Sequence, residues 1–220
     1  MIQAVSFDID GTLLDSVDLH ARAWQEALQH FGHDFPYEQV RHEIGKGGDQ
    51  LLPDLLPPEV INAQGEDIKA YRGELFKLRY LSDVRAFPGV RALFERIRAD
   101  GKKIALASSA KSDEIKVYKK IANIEGVVDV EASADDAEKS KPHPDIFDAT
   151  LERLGAMDPA LVMVVGDTPH DAQAAAKARL LTIGVLCGGF PELELRAAGC
   201  IAIYRDPASL LAGYDGSPLH

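Results

Sequence analysis

Cysteine is scarce in this chain: Cys187 and Cys200 are the only two. They form neither a disulfide framework nor a Cys-x-x-Cys motif, so the expectation is reduced thiols in a cytoplasmic protein. No apolar run approaches the roughly 20 residues that cross a bilayer, and no basic segment leads into an apolar signal core near residue 1. A membrane partner is therefore not expected. Positive charge is also in short supply: 24 Lys and Arg stand against 35 Asp and Glu, a formal net charge of −11. That balance excludes nucleic acid as the main partner and points to a local cation wherever an anionic substrate must enter. Low-complexity tracts and internal repeats are absent, which excludes long disorder and solenoids. What is present is an ordinary globular composition, 46% hydrophobic and 27% charged, over 220 residues. That length suits one large α/β domain, or a core domain with a small insertion.

Short apolar runs rich in β-branched residues recur at residues 103–107, 127–130, 161–165, 181–186 and 200–204, after a first one at 2–7. Segments of helical character lie between or after them, at 90–99, 113–121, 144–154, 171–178 and 191–198. Strands alternating with helices predict βαβ units and a parallel sheet with right-handed crossovers. Residues 16–86 break the rhythm. Val17, Trp24, Leu28 and Phe31 share a helical face, Leu51, Leu52, Leu55 and Leu56 form another apolar segment, and residues 59–80 read as one long helix interrupted by Gly65 and Gly73. The expected architecture is thus a Rossmann-like parallel sheet core, residues 1–15 and 87–220, with an inserted all-helical cap over residues 16–86. Asp15-Ser16 and Ala86-Phe87-Pro88-Gly89 are the candidate hinges.

Four short stretches carry chemistry. Asp8 and Asp10 stand two apart at the end of the first apolar run, so on an extended chain their side chains point the same way. Two close carboxylates repel and call for a cation, a shared proton or both. A hard ion such as Mg2+ takes oxygen ligands and joins carboxylate to phosphate, which suits phosphoryl transfer through an aspartyl-phosphate. Ser108-Ser109, Lys141 and the pair Asp167 and Asp171 all lie at strand ends or helix starts. In an open parallel sheet such positions gather on one rim. Asp8 then reads as nucleophile, Asp10 as general acid and base, and Ser108 as a hydrogen-bond donor to a phosphoryl oxygen, with Ser109 beside it. Lys141 balances charge, Asp167 completes the metal site, and Asp171 helps it directly or through another ligand. Singly, Ser108 and Asp167 read as caps and Lys141 as a solvated loop lysine; their order and joint placement carry the reading.

Asp8-Ile-Asp10-Gly-Thr, Ser108, Lys141-Pro-His-Pro-Asp and Gly166-Asp167 through Asp171 resemble the four motifs of the haloacid dehalogenase superfamily. The helical insertion is similar to the cap of its phosphoglycolate phosphatase and β-phosphoglucomutase branch. The resemblance implies a mobile cap, magnesium, an aspartyl-phosphate on Asp8 and a metal contact from the backbone carbonyl of Asp10. It also implies that His20, in the cap entry, assists Asp10; on its own, His20 equally reads as a polar residue on a helix face. The loop Ile44-Gly-Lys46-Gly-Gly-Asp-Gln lets backbone approach a ligand, and Lys46 is the candidate contact to an anionic group, unless the loop is only a turn. The mutase carries an arginine in this region that grips a second phosphate, where Gly47, Gly48 and Asp49 stand here. That departure favours hydrolysis of a small phosphorylated metabolite over a phosphomutase. A hydrolytic dehalogenase is disfavoured by Asp10, and a phosphoacceptor receiver domain by the length and the cap. Substrate identity and oligomeric state are not encoded in these motifs.

Overall fold

The computed structural model describes all 220 residues. The chain runs through β1 (Ala4–Phe7), β2 (Leu14–Asp15), the helices α1 (Val17–His30), α2 (Tyr37–His42), α3 (Gly48–Leu55) and α4 (Pro58–Arg79), then β3 (Arg85–Ala86) and α5 (Val90–Ala99). It continues through β4 (Lys103–Ala107), α6 (Ser112–Ile121), β5 (Val130–Ala132), α7 (Asp145–Arg153), β6 (Val162–Gly166) and α8 (Pro169–Lys177). Last come β7 (Leu181–Val185), α9 (Glu192–Ala197), β8 (Cys200–Tyr204) and α10 (Pro207–Ala212).

Six strands form one parallel sheet in the order β5-β4-β1-β6-β7-β8. β1 and β6 are buried along their whole length, as expected for parallel strands covered on both faces. Alternation along β1 divides the core. Val5 and Phe7 face Phe94, Ile97, Ile115 and Leu210 on one side, and Ala4 faces Phe147, Val164 and Ala175 on the other. After β1 the sheet grows through β4 to β5, then returns to the other side of β1 for β6. The carboxyl ends of β4, β1 and β6 therefore meet where the strand order reverses, the usual place for a ligand crevice in an open α/β sheet.

The inserted helices have their own core, with Trp24, Leu28, Leu51, Leu52 and Ile68 buried together. Gly65 and Gly73 do not interrupt α4. Gly65 is buried where α4 faces Leu52 of α3, and a Cβ there would meet Leu52 at 3.7 Å, an ordinary contact. The segments expected as hinges contain a short antiparallel ribbon, Leu14 opposite Ala86 and Asp15 opposite Arg85, so the chain enters and leaves the helical region through paired strands. Two-residue strands carry no periodicity to read. The strand expected at 127–130 lies later, at Val130–Ala132, because Val127 is buried ahead of the strand and Asp129 accepts from the Ile104 backbone N–H.

Candidate active site

Asp8 follows β1 directly, and its backbone N–H donates to the Val165 carbonyl at 3.0 Å. The Lys141 ammonium is 1% exposed. It donates to Asp8 Oδ1 at 2.5 Å and to the Ala107 carbonyl at 3.1 Å, and lies 2.7 Å from Asp171 Oδ1. Asp167 follows β6, and its Oδ1 accepts from the Thr12 hydroxyl at 2.8 Å. Asp171 sits in the first turn of α8, where its Oδ2 accepts from the backbone N–H and hydroxyl of Thr168 at 3.1 and 2.7 Å. Asp8, Asp167 and Asp171 each bring a carboxylate oxygen within 4.8 Å of the others.

Three buried carboxylates against one ammonium is an unbalanced set. Burial pushes the Asp8 carboxyl up to about 7, with Lys141 opposing and Asp171 adding to the rise. Burial, then the charges of Asp8 and Asp171, raise Asp167 well above the usual carboxylate range. The Lys141 ammonium is raised, because its two carboxylate partners outweigh its burial. Asp167 Oδ2 is buried and has no hydrogen-bond partner. A Cβ on Gly11 would lie 2.2 Å from that oxygen, and one on Gly188 1.7 Å, so glycine at both positions lets the backbone close around it. Hard oxygen donors, excess negative charge and an unpartnered buried oxygen fit a small divalent cation.

Asp10 differs. Ser16 donates to its Oδ1 at 2.6 Å, and His20 Nε2 lies 2.9 Å from the same oxygen. Arg72 Nη2 lies 2.5 Å from His20 Nδ1. A guanidinium only donates, so Nδ1 accepts and Nε2 carries the proton given to Asp10. Phe76 stacks on the His20 ring at 4.0 Å and fixes its plane. Burial raises the Asp10 carboxyl, but His20, Ser16 and Arg72 outweigh it and hold Asp10 below the usual range.

Ser108 is buried at the end of β4, and its Oγ accepts from the Ala110 N–H at 3.1 Å, leaving its own proton to donate. The backbone N–H groups of Ile9, Asp10 and Ser109 donate to no protein acceptor. Asp8, Asp10, Ser108 and Ser109 border a cavity of about 80 Å³ between sheet rim and helices. His20, Trp24, Lys46, Arg72 and Tyr118 also line it, and an outer cavity of about 560 Å³ shares Trp24, Arg72 and Ser109. Trp24 is thus both core and cavity wall. Besides the Ser16 and His20 contacts to Asp10, the helices meet the core where the Ser140 N–H donates to Asp49 Oδ2 at 3.0 Å and Arg41 Nη2 donates to the Gly188 carbonyl at 3.0 Å.

Every candidate site residue of the sequence therefore borders this cavity or the carboxylate cluster beside it. Lys46 lines the cavity, but its ammonium is ion-paired with Glu43 and with Asp54. Sequence reasoning missed Thr12, Tyr118 and Arg72. Thr12 lay inside the first motif and could have been found there; Arg72 belongs to no motif, and lies 52 positions from the histidine it holds.

Comparison with known proteins agrees with this geometry. The haloacid dehalogenase-like hydrolase family matches residues 2–179. A phosphorylated carbohydrates phosphatase of Thermotoga maritima is 28% identical over 93% of this chain and 94% of that protein. A phosphoglycolate phosphatase of Nitrosospira multiformis is 31% identical over 80% of each. The crystal structure of a hydrolase from Pseudomonas syringae superposes with a TM-score of 0.90 at 28% identity, over 97% of this chain and 98% of that one. The chain belongs to the haloacid dehalogenase-like hydrolases.

Proposed function

We propose that this chain is a magnesium-dependent phosphatase that hydrolyses a small phosphate monoester through an aspartyl-phosphate on Asp8. The observation that carries this reading is Asp8 itself: a carboxylate oxygen held by a buried lysine, beside three unused backbone donors and a cluster suited to a cation. Asp8 attacks phosphorus, the bond to the leaving oxygen breaks, and Asp10 delivers a proton to that oxygen. Asp10 then takes a proton from water, the water oxygen attacks phosphorus, the Asp8–phosphorus bond breaks and inorganic phosphate leaves. The ionised resting form of Asp10 suits the second half. In the first half the anionic substrate beside it disfavours that ionisation, so Asp10 takes up the proton it delivers. Ser108, Ser109 and the free N–H groups hold the phosphoryl oxygens. Asp8, Asp167 and the Asp10 carbonyl would hold Mg2+, with Asp171 steadying the site through Lys141 and Thr168. The ion supplies charge neutralisation where two carboxylates meet a phosphoryl group.

Residues 1–15 and 87–220 form the catalytic core in this reading, and residues 16–86 a cap that excludes water when docked. Lys46 meets the substrate with a charge two carboxylates already balance, so it acts chiefly by shaping the Gly45–Gly48 loop. Asp49 accepts from Ser140 where a mutase would grip a second phosphate, which supports hydrolysis. Two cysteines that form no disulfide support a cytoplasmic location; no helix is long and apolar enough to cross a membrane.

Phosphate release from a panel of phosphorylated metabolites, with Mg2+ and with chelator, tests the proposal. Release that chelator stops and Mg2+ restores is expected. Full activity without metal would overturn it and reopen the dehalogenase reading.

A further inference from the structure

Three contacts of the inserted helices with the core lie next to charged groups of the site. The Asp49 carboxylate accepts from the N–H of Ser140, the neighbour of Lys141. A Cβ on Gly45 would lie 2.7 Å from Thr168 Cγ2, and the Thr168 hydroxyl donates to Asp171. The third contact is Arg41, in α2. Its Nε donates to Asp18 Oδ1 at 2.7 Å and its Nη2 to the Gly188 carbonyl at 3.0 Å. That carbonyl accepts from no backbone donor. The other side of Gly188 lies against Asp167 Oδ2, the buried oxygen without a hydrogen-bond partner. Gly189 packs on the guanidinium, where a Cβ would overlap Nη2. The His42 ring, next in α2, lies 5.4 Å from that of Phe190. The loop of residues 187–190 is thus thin enough to touch a helix of the insertion and a carboxylate of the cluster at once. Within the core it is tethered by Cys187, whose Sγ donates to the Gly11 carbonyl at 3.1 Å.

Glycine restrains its own backbone least, so the hydrogen bond from Arg41 is what orients the Gly188 peptide. Asp18 in turn fixes the guanidinium at Nε and aims its other edge. We propose that Arg41 is a positioning residue for the metal site: it holds Gly188 against Asp167, so that a divalent cation binds at full strength only while α2 is docked on the loop. This rests on the metal-dependent phosphatase reading and adds a coupling between the helical region and the ion. Two effects of Arg41 on a cation oppose each other. Its positive charge repels the ion, so through the field alone its loss would tighten binding. Its hold on Gly188 places a ligand oxygen, and loss of such a support weakens metal binding about 10–100-fold. Asp18 already balances the charge and solvent screens what remains, so positioning wins. Coupling of this kind is reciprocal: an ion that binds the docked form more tightly holds α2 on the loop by the same factor.

Mn2+ is the probe, because the paramagnetic resonance signal of the free ion is lost on binding and a titration gives Kd without turnover. Arg41→Met keeps the length of the side chain and removes its donors. Arg79→Met removes the same charge from an ion pair with Glu26, on α4. The Kd for Mn2+ should rise about tenfold in Arg41→Met, stay within about twofold of the unmodified value in Arg79→Met, and recover in part in Arg41→Lys, which keeps one donor. A Kd unchanged or lowered in Arg41→Met would overturn the proposal. Hydrogen exchange tests the reciprocal effect in the unmodified protein, whether or not the variants fold. Mg2+ should slow exchange of peptides covering residues 37–49 about tenfold, and Arg41→Met should lose that slowing. Exchange of those residues indifferent to Mg2+ in the unmodified protein would also overturn it. Asp167→Asn separates the proposal from the reading beneath it. Mn2+ binding undiminished in Asp167→Asn would be failure of the metal assignment and of the proposal with it. Binding lost in Asp167→Asn but unchanged in Arg41→Met would be failure of the proposal alone.

Discussion

An amide at position 8 would keep the shape of Asp8 and remove its charge. Lys141 would keep its second partner, Asp171, and one of three crowded carboxylates would be gone. Asp8→Asn should therefore retain or slightly raise the melting temperature of a metal-free preparation while lowering kcat roughly a thousandfold or more. Normal phosphate release by a folded Asp8→Asn protein would refute the assignment of nucleophile. His20 touches Asp10 rather than the phosphoryl group, so it is a positioning residue. His20→Ala should lower kcat about tenfold with little change in KM, a part of what acid–base help supplies. It should also move the acidic limb of the pH–kcat profile upward, because Asp10 loses the donor that holds its carboxyl low. An unchanged profile would leave His20 as a helix-face residue only. The core residues were legible because each sits in a motif whose spacing implies convergence. Arg72 was not, because only the packing of α4 against α1 brings it to His20.

Glycines at the ends of β1 and β7 decide whether the carboxylate cluster can close. Gly188 lies just beyond β7, and its hydrogens face Asp167 Oδ2 where a methyl group cannot fit. Gly188→Ala should push that carboxylate aside. The Mg2+ concentration for half-maximal activity is expected to rise about tenfold or more, as for other changes that misplace a metal ligand. An unaltered Mg2+ dependence would show that Asp167 Oδ2 is not the oxygen that matters. The alternating elements of the second half were readable because parallel strands buried on both faces are continuous apolar runs, as at β4, β6 and β7. The β2–β3 ribbon and the true start of β5 were not. Two paired residues leave no pattern, and Val127 is apolar for packing rather than pairing.

Charge crowding should be visible in the stability of the whole protein. Asp8 and Asp167 bind protons more tightly in the folded protein than in the unfolded chain. For such raised carboxyls the folded state holds the extra protons, so stability falls as pH rises from the unfolded value near 4 to the folded value near 7. His170, which burial and then Lys46 pull down to about 4, has the opposite slope between about 4 and 6.5. Comparing melting temperatures with and without Mg2+ at each pH largely cancels that histidine. The gain from Mg2+ should be small near pH 5 and larger near pH 8, since the ion stabilises the ionised cluster. A gain independent of pH would mean that these carboxylates do not hold the ion.

The central claim is that phosphorus becomes bonded to Asp8 during turnover. Rapid acid quenching of the protein with Mg2+ and a hydrolysed ester, followed by borohydride reduction and peptide mass spectrometry, reads this directly. An acyl phosphate is reduced to an alcohol and a free carboxylate is not, so homoserine is expected at position 8 alone, and only in samples that received substrate. Unmodified Asp8 in a protein turning over that same ester, or homoserine at another aspartate, would contradict the account.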